Sequence, residues 1–244
     1  MSITTTTDTL VTLEKVTKTY TMGEVVINAL NGIDLAIKRG EFLAVLGPSG
    51  SGKTTLLNML GGIDSPTSGR IVVDGEDITN HKRKQLTYYR REKVGFIFQF
   101  FNLIPTLTAV ENVRYAWELA ARDGGAPNTR PEKLLEAVGI GDRANHFPSQ
   151  MSGGEQQRVA VARALAKDPV MILGDEPTGN LDFRMGKLVL GSLKELNDRG
   201  KTVVLVTHNS PIAAIADRVL HIRDGVIFEE EINEHPTPAD EIVW

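Results

Sequence analysis

The 244-residue chain contains no cysteine, which excludes disulfides and thiolate metal sites and fits a reducing compartment. It also lacks any apolar run approaching the roughly 20 residues a membrane helix needs. If the protein works at a membrane, another chain is expected to span it. The opening MSITTTTDTL has no basic start followed by an apolar run, so it does not read as a secretory signal. No basic stripe is present: 27 Lys and Arg against 31 Asp and Glu leave a formal charge of -4, giving no global attraction for nucleic acid. The run His81, Lys82, Arg83, Lys84 reads as a solvated face or loop. There is no internal repeat. What remains, 41% hydrophobic and 24% charged residues, is ordinary for a globular protein long enough to bury a sizeable core.

Against that plain background one stretch stands out. GPSGSGKTT at 47–55 fits the phosphate-binding pattern GxxxxGK[ST], with Gly47, Gly52, Lys53 and Thr54 at the fixed places. Average residue usage matches those four positions by chance in a chain this long roughly 1 time in 100. An apolar run at 42–46 precedes the loop as a buried strand, and 55–60 follows it as a helix. Glycines at 47, 50 and 52 let the backbone aim successive N–H groups at phosphate oxygens, and the helix dipole adds positive potential. Pro48, Ser49, Gly50, Ser51 and Thr55 complete the cradle. Lys53 is expected to reach the β- and γ-phosphates of ATP, and Thr54 to offer its hydroxyl to the magnesium ion (Mg2+) bridging them.

The rest of the chain is organised around that loop. Residues 1–9 read as a flexible lead-in. Strands are expected at 10–16 and 25–37, the latter broken by a turn at Asn31 and Gly32, and antiparallel pairing is expected. Further strands are expected at 70–73, 94–98, 170–173, 202–206, 219–223 and 226–230. Helical spacing appears at 107–121, 132–138, 155–167, 183–197 and 212–218. The tail from Glu229 is acidic, bears prolines and is expected to be mobile. The expected architecture is α/β: one domain over 10–230 with a parallel sheet, an N-terminal antiparallel β subdomain and a helical insertion at about 100–165, then a tail at 231–244.

Two further stretches carry chemistry. VMILGDEP at 170–177 is a short strand ending in two carboxylates, where an open parallel sheet places its ligand. Asp175 is expected to hold magnesium, and Glu176 to act as general base on the attacking water. Such a pair can instead cap the next helix, but the phosphate loop favours the catalytic reading. MSGGEQQ at 151–157 opens the long helical pattern: Ser152 can cap it, and Gly153 and Gly154 let its N–H groups approach a ligand oxygen. One chain thus holds two glycine-rich helix starts suited to phosphate. A single nucleotide hardly occupies both within one compact chain.

From about Thr12 to Ile227 the sequence resembles the ATP-binding cassette (ABC) ATPases, a P-loop NTPase (RecA-like) fold. GPSGSGKTT resembles the Walker A loop, MILGDE Walker B, and MSGGE, including Glu155, the family signature. The resemblance implies a homodimer in which two cassettes pair head to tail, each ATP lying between the Walker A loop of one and the signature of the other. It further implies that Tyr20 in VTKTY stacks on adenine and that Gln99 in FIFQ links magnesium to a membrane partner's docking surface. His208 in VLVTH would contact the γ-phosphate, and Asp182 in TGNLD would belong to the loop crossing the dimer interface.

FQFFNLIPTLTAVENV, GEQQRVAVARAL and DEPTGNLD are similar to the lipoprotein-release, macrolide-export and cell-division subgroup. Met151, Glu155, Gly174, Phe183 and Arg184 depart from the usual pattern, and none removes a catalytic group. The resemblance implies an ATPase that is cytoplasmic, peripheral on the inner face of the cell membrane through an integral-membrane permease, and coupled to export, lipoprotein release or mechanotransmission. A regulatory cassette that gates an extracytoplasmic activity without transport is the alternative. DNA-repair and translation cassettes need a long coiled-coil insertion or tandem cassettes, which 244 residues with one set of motifs do not fit. QFFNLIPTLT at 99–108 crowds Phe100, Phe101, Leu103, Ile104 and Leu107 into one loop. About half are expected to tuck inward, and the rest to form a groove for a short permease helix, with Phe101 and Leu103 facing the partner.

Overall fold

The computed structural model describes residues 8–121 and 129–243. Most of the expected lead-in, and most of the stretch between the helical patterns at 107–121 and 132–138, therefore lie outside the described residues. The chain opens with a long hairpin, β1 (Thr9–Met22) and β2 (Val25–Lys38), and continues through β3 (Phe42–Leu46) into α1 (Lys53–Leu60). β4 (Ser68–Val73), β5 (Glu76–Asp77), α2 (Arg83–Lys93) and β6 (Val94–Phe98) follow, then three helices, α3 (Ala109–Ala121), α4 (Pro131–Ala137) and α5 (Gly153–Leu165). The last part alternates: β7 (Met171–Asp175), α6 (Phe183–Asp198), β8 (Thr202–Thr207), α7 (Ser210–Ala213), β9 (Arg218–Arg223) and β10 (Val226–Ile232).

Two sheets result. A four-stranded antiparallel sheet runs β2-β1-β4-β5, and a six-stranded sheet runs β10-β9-β3-β8-β7-β6, parallel except for β10 at its edge. The strand period of two divides the second sheet between two cores. Phe42, Ala44 and Leu46 of β3, with Val203 and Leu205 of β8, face helices α3 to α7. Leu43 and Val45, with Val204 and Val206, face α1 and the antiparallel sheet. Buried residues of α3 and α4, such as Val113 and Leu135, belong to the first of these cores, so the helical stretch shares its interior with the sheet.

The structure departs from the sequence reading at four places. Helix α2 occupies a stretch where no element was expected, because it buries only Leu86 and Tyr89 and shows no apolar stripe. Tyr89 Oη donates to the carbonyl of Leu60 at 2.5 Å, which ties α2 to the end of α1. Strand β2 runs through Asn31 and Gly32, where pairing with β1 shifts register at Val16 and Thr17 instead of ending. Helix α7 stops at Ala213 because Asp217 turns the chain into the sheet: its N–H donates to the Phe42 carbonyl and its Oδ2 accepts from Phe42 N. The tail is folded back. Asn233 N donates to the Asp217 carbonyl, Thr237 N to that of Ala214, and Ile242 is buried in the helix-side core.

Candidate functional site

Strand β3 is wholly buried and delivers the glycine-rich loop to the C-terminal edge of the parallel sheet. At the loop's end Gly52 has φ +107°, and a Cβ there would lie 2.5 Å from the Ala29 carbonyl oxygen, so only glycine fits. Helix α1 begins at Lys53, earlier than its apolar pattern implied, with no side-chain cap and no acid in its first turn. Its N-terminal N–H groups are thus left for a ligand. Lys53 Nζ donates to the carbonyls of Gly47 at 2.7 Å and Pro48 at 2.9 Å. Burial pushes the Lys53 pKa down, while the Glu176 and Asp175 carboxylates act to raise it.

Strand β7 extends through Asp175, so its carboxylate sits at the strand end with Thr54 Oγ1 donating to Oδ1 over a long 3.4 Å. Burial raises the Asp175 pKa; the hydroxyl of Thr54 works against this, Glu176 reinforces it and Lys53 lowers it. Glu176 takes the left-handed backbone at φ +47°, a strained conformation for a non-glycine residue. Its position is held from β8: Glu176 N donates to the Val206 carbonyl, Thr207 Oγ1 donates to Oε2 at 3.2 Å, and His208 Nδ1 lies 2.7 Å from Oε1. Gln99, one residue past β6, accepts at its carbonyl from Asn180 Nδ2 at 3.0 Å.

These strand ends and the loop enclose a cleft of about 740 Å³. Pro48, Ser49, Gly50, Gly52, Lys53, Thr54 and Thr55 line one side, and Gln99, Asp175, Glu176 and His208 the other. Gly47 and Ser51 form the loop's underside: a Cβ on Gly47 would meet the Ile222 carbonyl, and Ser51 is buried. Ile27, Asn28 and Ala29 of β2 also line the cleft, a contribution with no local signal in an alternating strand. Tyr20 is not among the lining residues. Its hydroxyl donates to Asp64 Oδ2 at 2.9 Å, and the Lys18 ammonium lies 4.9 Å from its ring centre. The arrangement fits a magnesium nucleotide. A bare helix N-terminus and a lysine favour phosphate, and a carboxylate that burial makes reluctant to ionise gains from an adjacent divalent cation.

The second glycine-rich helix start lies outside this cleft, since none of Ser152, Gly153, Gly154, Glu155 or Asp182 lines it. Ser152 caps α5: its Oγ accepts from Glu155 N at 3.3 Å, while Glu155 Oε2 accepts from Ser152 N at 2.8 Å. The Ser152 backbone bond holds the Glu155 pKa down, with Arg143 adding to it. Gly154 allows α6 to approach, because a Cβ there would lie 2.4 Å from Met185 Sδ. Exposed Asp182 caps α6, accepting from Met185 N at 3.0 Å.

A second concavity of about 490 Å³ opens between β6, α2, α3 and α5. Phe96, Phe98, Ile104, Tyr115 and Leu119 form its apolar wall. Of the crowded loop, Phe100 is 73% and Ile104 36% exposed, whereas Phe101, Leu103 and Leu107 are half-buried. Leu103 packs on the core, and the Phe101 ring lies 3.5 Å from where a Cβ on Gly153 would stand. The two side chains expected to face a partner are therefore largely turned inward.

Fold and cleft together define a P-loop nucleotide-binding protein. A family model described as ABC transporter matches residues 30–179. An uncharacterised ABC transporter ATP-binding protein of Thermotoga maritima is 47% identical over 88% of this chain and 92% of its own length. The macrolide export ATP-binding/permease protein MacB of Brucella melitensis is 46% identical over 91% of this chain, which spans only 34% of MacB. Among solved structures, the dimeric cassette MJ0796 in a post-hydrolysis state bound to ADP and Pi superposes with a TM-score of 0.84 at 45% identity, covering 93% of this chain and 100% of that one. The chain belongs to the ABC transporter family, as an ATP-binding and ATP-hydrolysing cassette. Among the described residues no helix is long and apolar enough to cross a membrane.

Proposed function

We propose that this chain is the ATPase subunit of an export-type transporter, powering a separate membrane permease by closing head to tail with a second copy over two ATP molecules. One observation carries the reading: the cleft holds the Walker residues, while the second glycine-rich helix start, Ser152 to Gly154, lies outside it. Sharing each nucleotide between two copies gives both phosphate-binding ends a role. The dimeric cassette MJ0796 and the permease-fused MacB support it.

Within one site Lys53 and the loop N–H groups hold the phosphates. Thr54, Asp175 and Gln99 would hold magnesium, which would supply positive charge to offset that of the phosphates. Glu176 accepts a proton from the attacking water, its carboxylate aimed by Thr207 and His208. The second ring nitrogen of His208 is read as the contact to the γ-phosphate, and Tyr20, which lies beside Thr55 but does not line the cleft, as the residue that would stack on adenine. The groove beside Ile104 is read as the permease's docking surface.

Complementation tests the shared site. Lys53→Ala and Ser152→Arg chains, each inactive alone, are expected to regain activity on mixing, with at most one intact site per heterodimer. If verified heterodimers stay inactive and light scattering shows no ATP-dependent dimer of the wild-type chain, head-to-tail sharing is wrong.

A further inference from the structure

Arg90, Arg91, Arg163 and Lys167 line the groove beside the apolar wall, and among the described residues its lining includes no aspartate or glutamate. The hydrogen bonds of Arg90, Arg163 and Lys167 end on neutral oxygens. Arg90 donates to the Gly62 carbonyl and Thr87 Oγ1, Arg163 to the carbonyls of Phe101 and Asn102, and Lys167 Nζ to those of Arg90 at 2.8 Å and Val94 at 2.7 Å. Arg218 and Lys93, by contrast, have carboxylate partners in Glu41 and Asp74. Here the cations instead act on one another. Burial lowers the Arg163 pKa, and burial followed by the neighbouring Arg163 and Arg90 charges brings Lys167 down to about 8. Half-buried like charges without a counter-ion are an unfavourable arrangement that an incoming anion relieves.

On the reading that this groove docks the permease, we propose that the docking segment is amphipathic and acidic: its apolar side chains pack on Ile104, Tyr115 and Leu119, and at least one carboxylate meets Arg90, Arg163 and Lys167. The geometry suits a protein segment better than a lipid surface, because the cations line a concavity that a flat headgroup layer enters poorly and that apolar side chains share. Arg163 also grips the carbonyls of Phe101 and Asn102, two non-glycine residues at φ +57° and +51° just after Gln99. A carboxylate drawn to Arg163 therefore acts beside the loop that leads to the ATP cleft.

The test uses the permease that copurifies with the full chain from solubilised membranes, with binding measured in detergent. Asp→Asn and Glu→Gln substitutions are made one at a time in its cytoplasmic segments, leaving this chain intact. One of them is expected to weaken binding about 10- to 100-fold, the scale for losing a charge-assisted hydrogen bond. Arg90→Gln and Lys167→Gln are expected to do the same while basal ATP hydrolysis persists. Pairing Lys167→Glu with the permease residue changed to Lys should recover part of the loss. If Ile104→Ser abolishes binding but no charge substitution on either side weakens it, the groove docks the permease and the acidic contact is wrong. If neither kind of substitution matters, the docking reading itself fails. If phosphatidylglycerol vesicles without permease bind the wild-type chain, and Arg90→Gln and Lys167→Gln abolish that binding while permease affinity is unchanged, the cations serve a lipid surface and the proposal is overturned.

Discussion

The N-termini of α1 and α5 are the same local device used in opposite ways. At α1 a left-handed glycine precedes the helix, no side chain caps it, and its first turn carries no acid. At α5 a serine and a glutamate satisfy each other's backbone donors in a complete capping box. The α1 end lies in a cleft with Asp175, Glu176, His208 and Gln99; the α5 end does not line that cleft. Helix dipole and glycine content are shared, so they do not separate a catalytic end from an accessory one. What separates them is whether the donors are left bare and whether strand-end carboxylates stand opposite.

Breaking the α1 side has the largest consequences. Glu176→Gln is expected to reduce kcat about 10²- to 10⁴-fold, the usual share of general-base catalysis, while ATP affinity is retained. With hydrolysis blocked, the variant is expected to elute as a dimer in ATP; near-normal steady-state turnover removes Glu176 from the role. Lys53→Ala removes charge-assisted bonds to phosphate and is expected to weaken nucleotide affinity about 10- to 100-fold, as read by calorimetry. Unchanged affinity there means the bare backbone alone binds the phosphates.

Changes on the α5 side are expected to be smaller and of another kind. A Cβ at Gly154 meets three side-chain atoms of Met185, so Gly154→Ala is expected to lower stability by about 1–3 kcal/mol in urea denaturation, with nucleotide affinity of the isolated chain unaltered. A drop in that affinity would put the α5 end in the chain's own site. Ser152→Ala loses the cap at a cost of about 1 kcal/mol, again without touching binding by the isolated chain. Removing the Asp175 charge sharpens the contrast by its sign. With the folded pKa raised by burial, the ionised carboxylate opposes folding at neutral pH, and the penalty vanishes as pH falls through that raised value. Nucleotide-free Asp175→Asn is therefore expected to melt slightly higher than wild type at neutral pH, with the gap closing in acid. A lower melting temperature at neutral pH shows that the carboxylate's contacts outweigh its burial.

Much of this was readable from short stretches. The phosphate loop, the acid pair at the end of β7 and the capped start of α5 each depend on residues within a few positions of one another, and each lies where its pattern implied. Helix α2 was not readable, because a helix burying two side chains carries almost no periodic signal and owes its place to Tyr89 reaching Leu60. The turn anticipated at Asn31 is a register shift inside a paired strand, since β1 keeps supplying partners on both sides of it. The tail's acidic, proline-bearing composition gave no hint that Ile242 would reach the core.

The sequence by itself determined the strand and helix alternation, the two glycine-rich helix starts and the residues with chemistry to offer, because backbone geometry and side-chain type act locally. Only the tertiary structure decided which of them work together. Glu176 and His208, 32 positions apart, meet because β7 and β8 are parallel neighbours. Residues 27–29 join the cleft because β2 passes against the loop at Gly52, and Ser152 is left out because α5 starts elsewhere. The groove's cluster of positive charge is likewise a product of packing, which gathers Arg90, Arg163 and Lys167 from separate parts of the chain and brings no carboxylate among the described residues to its lining.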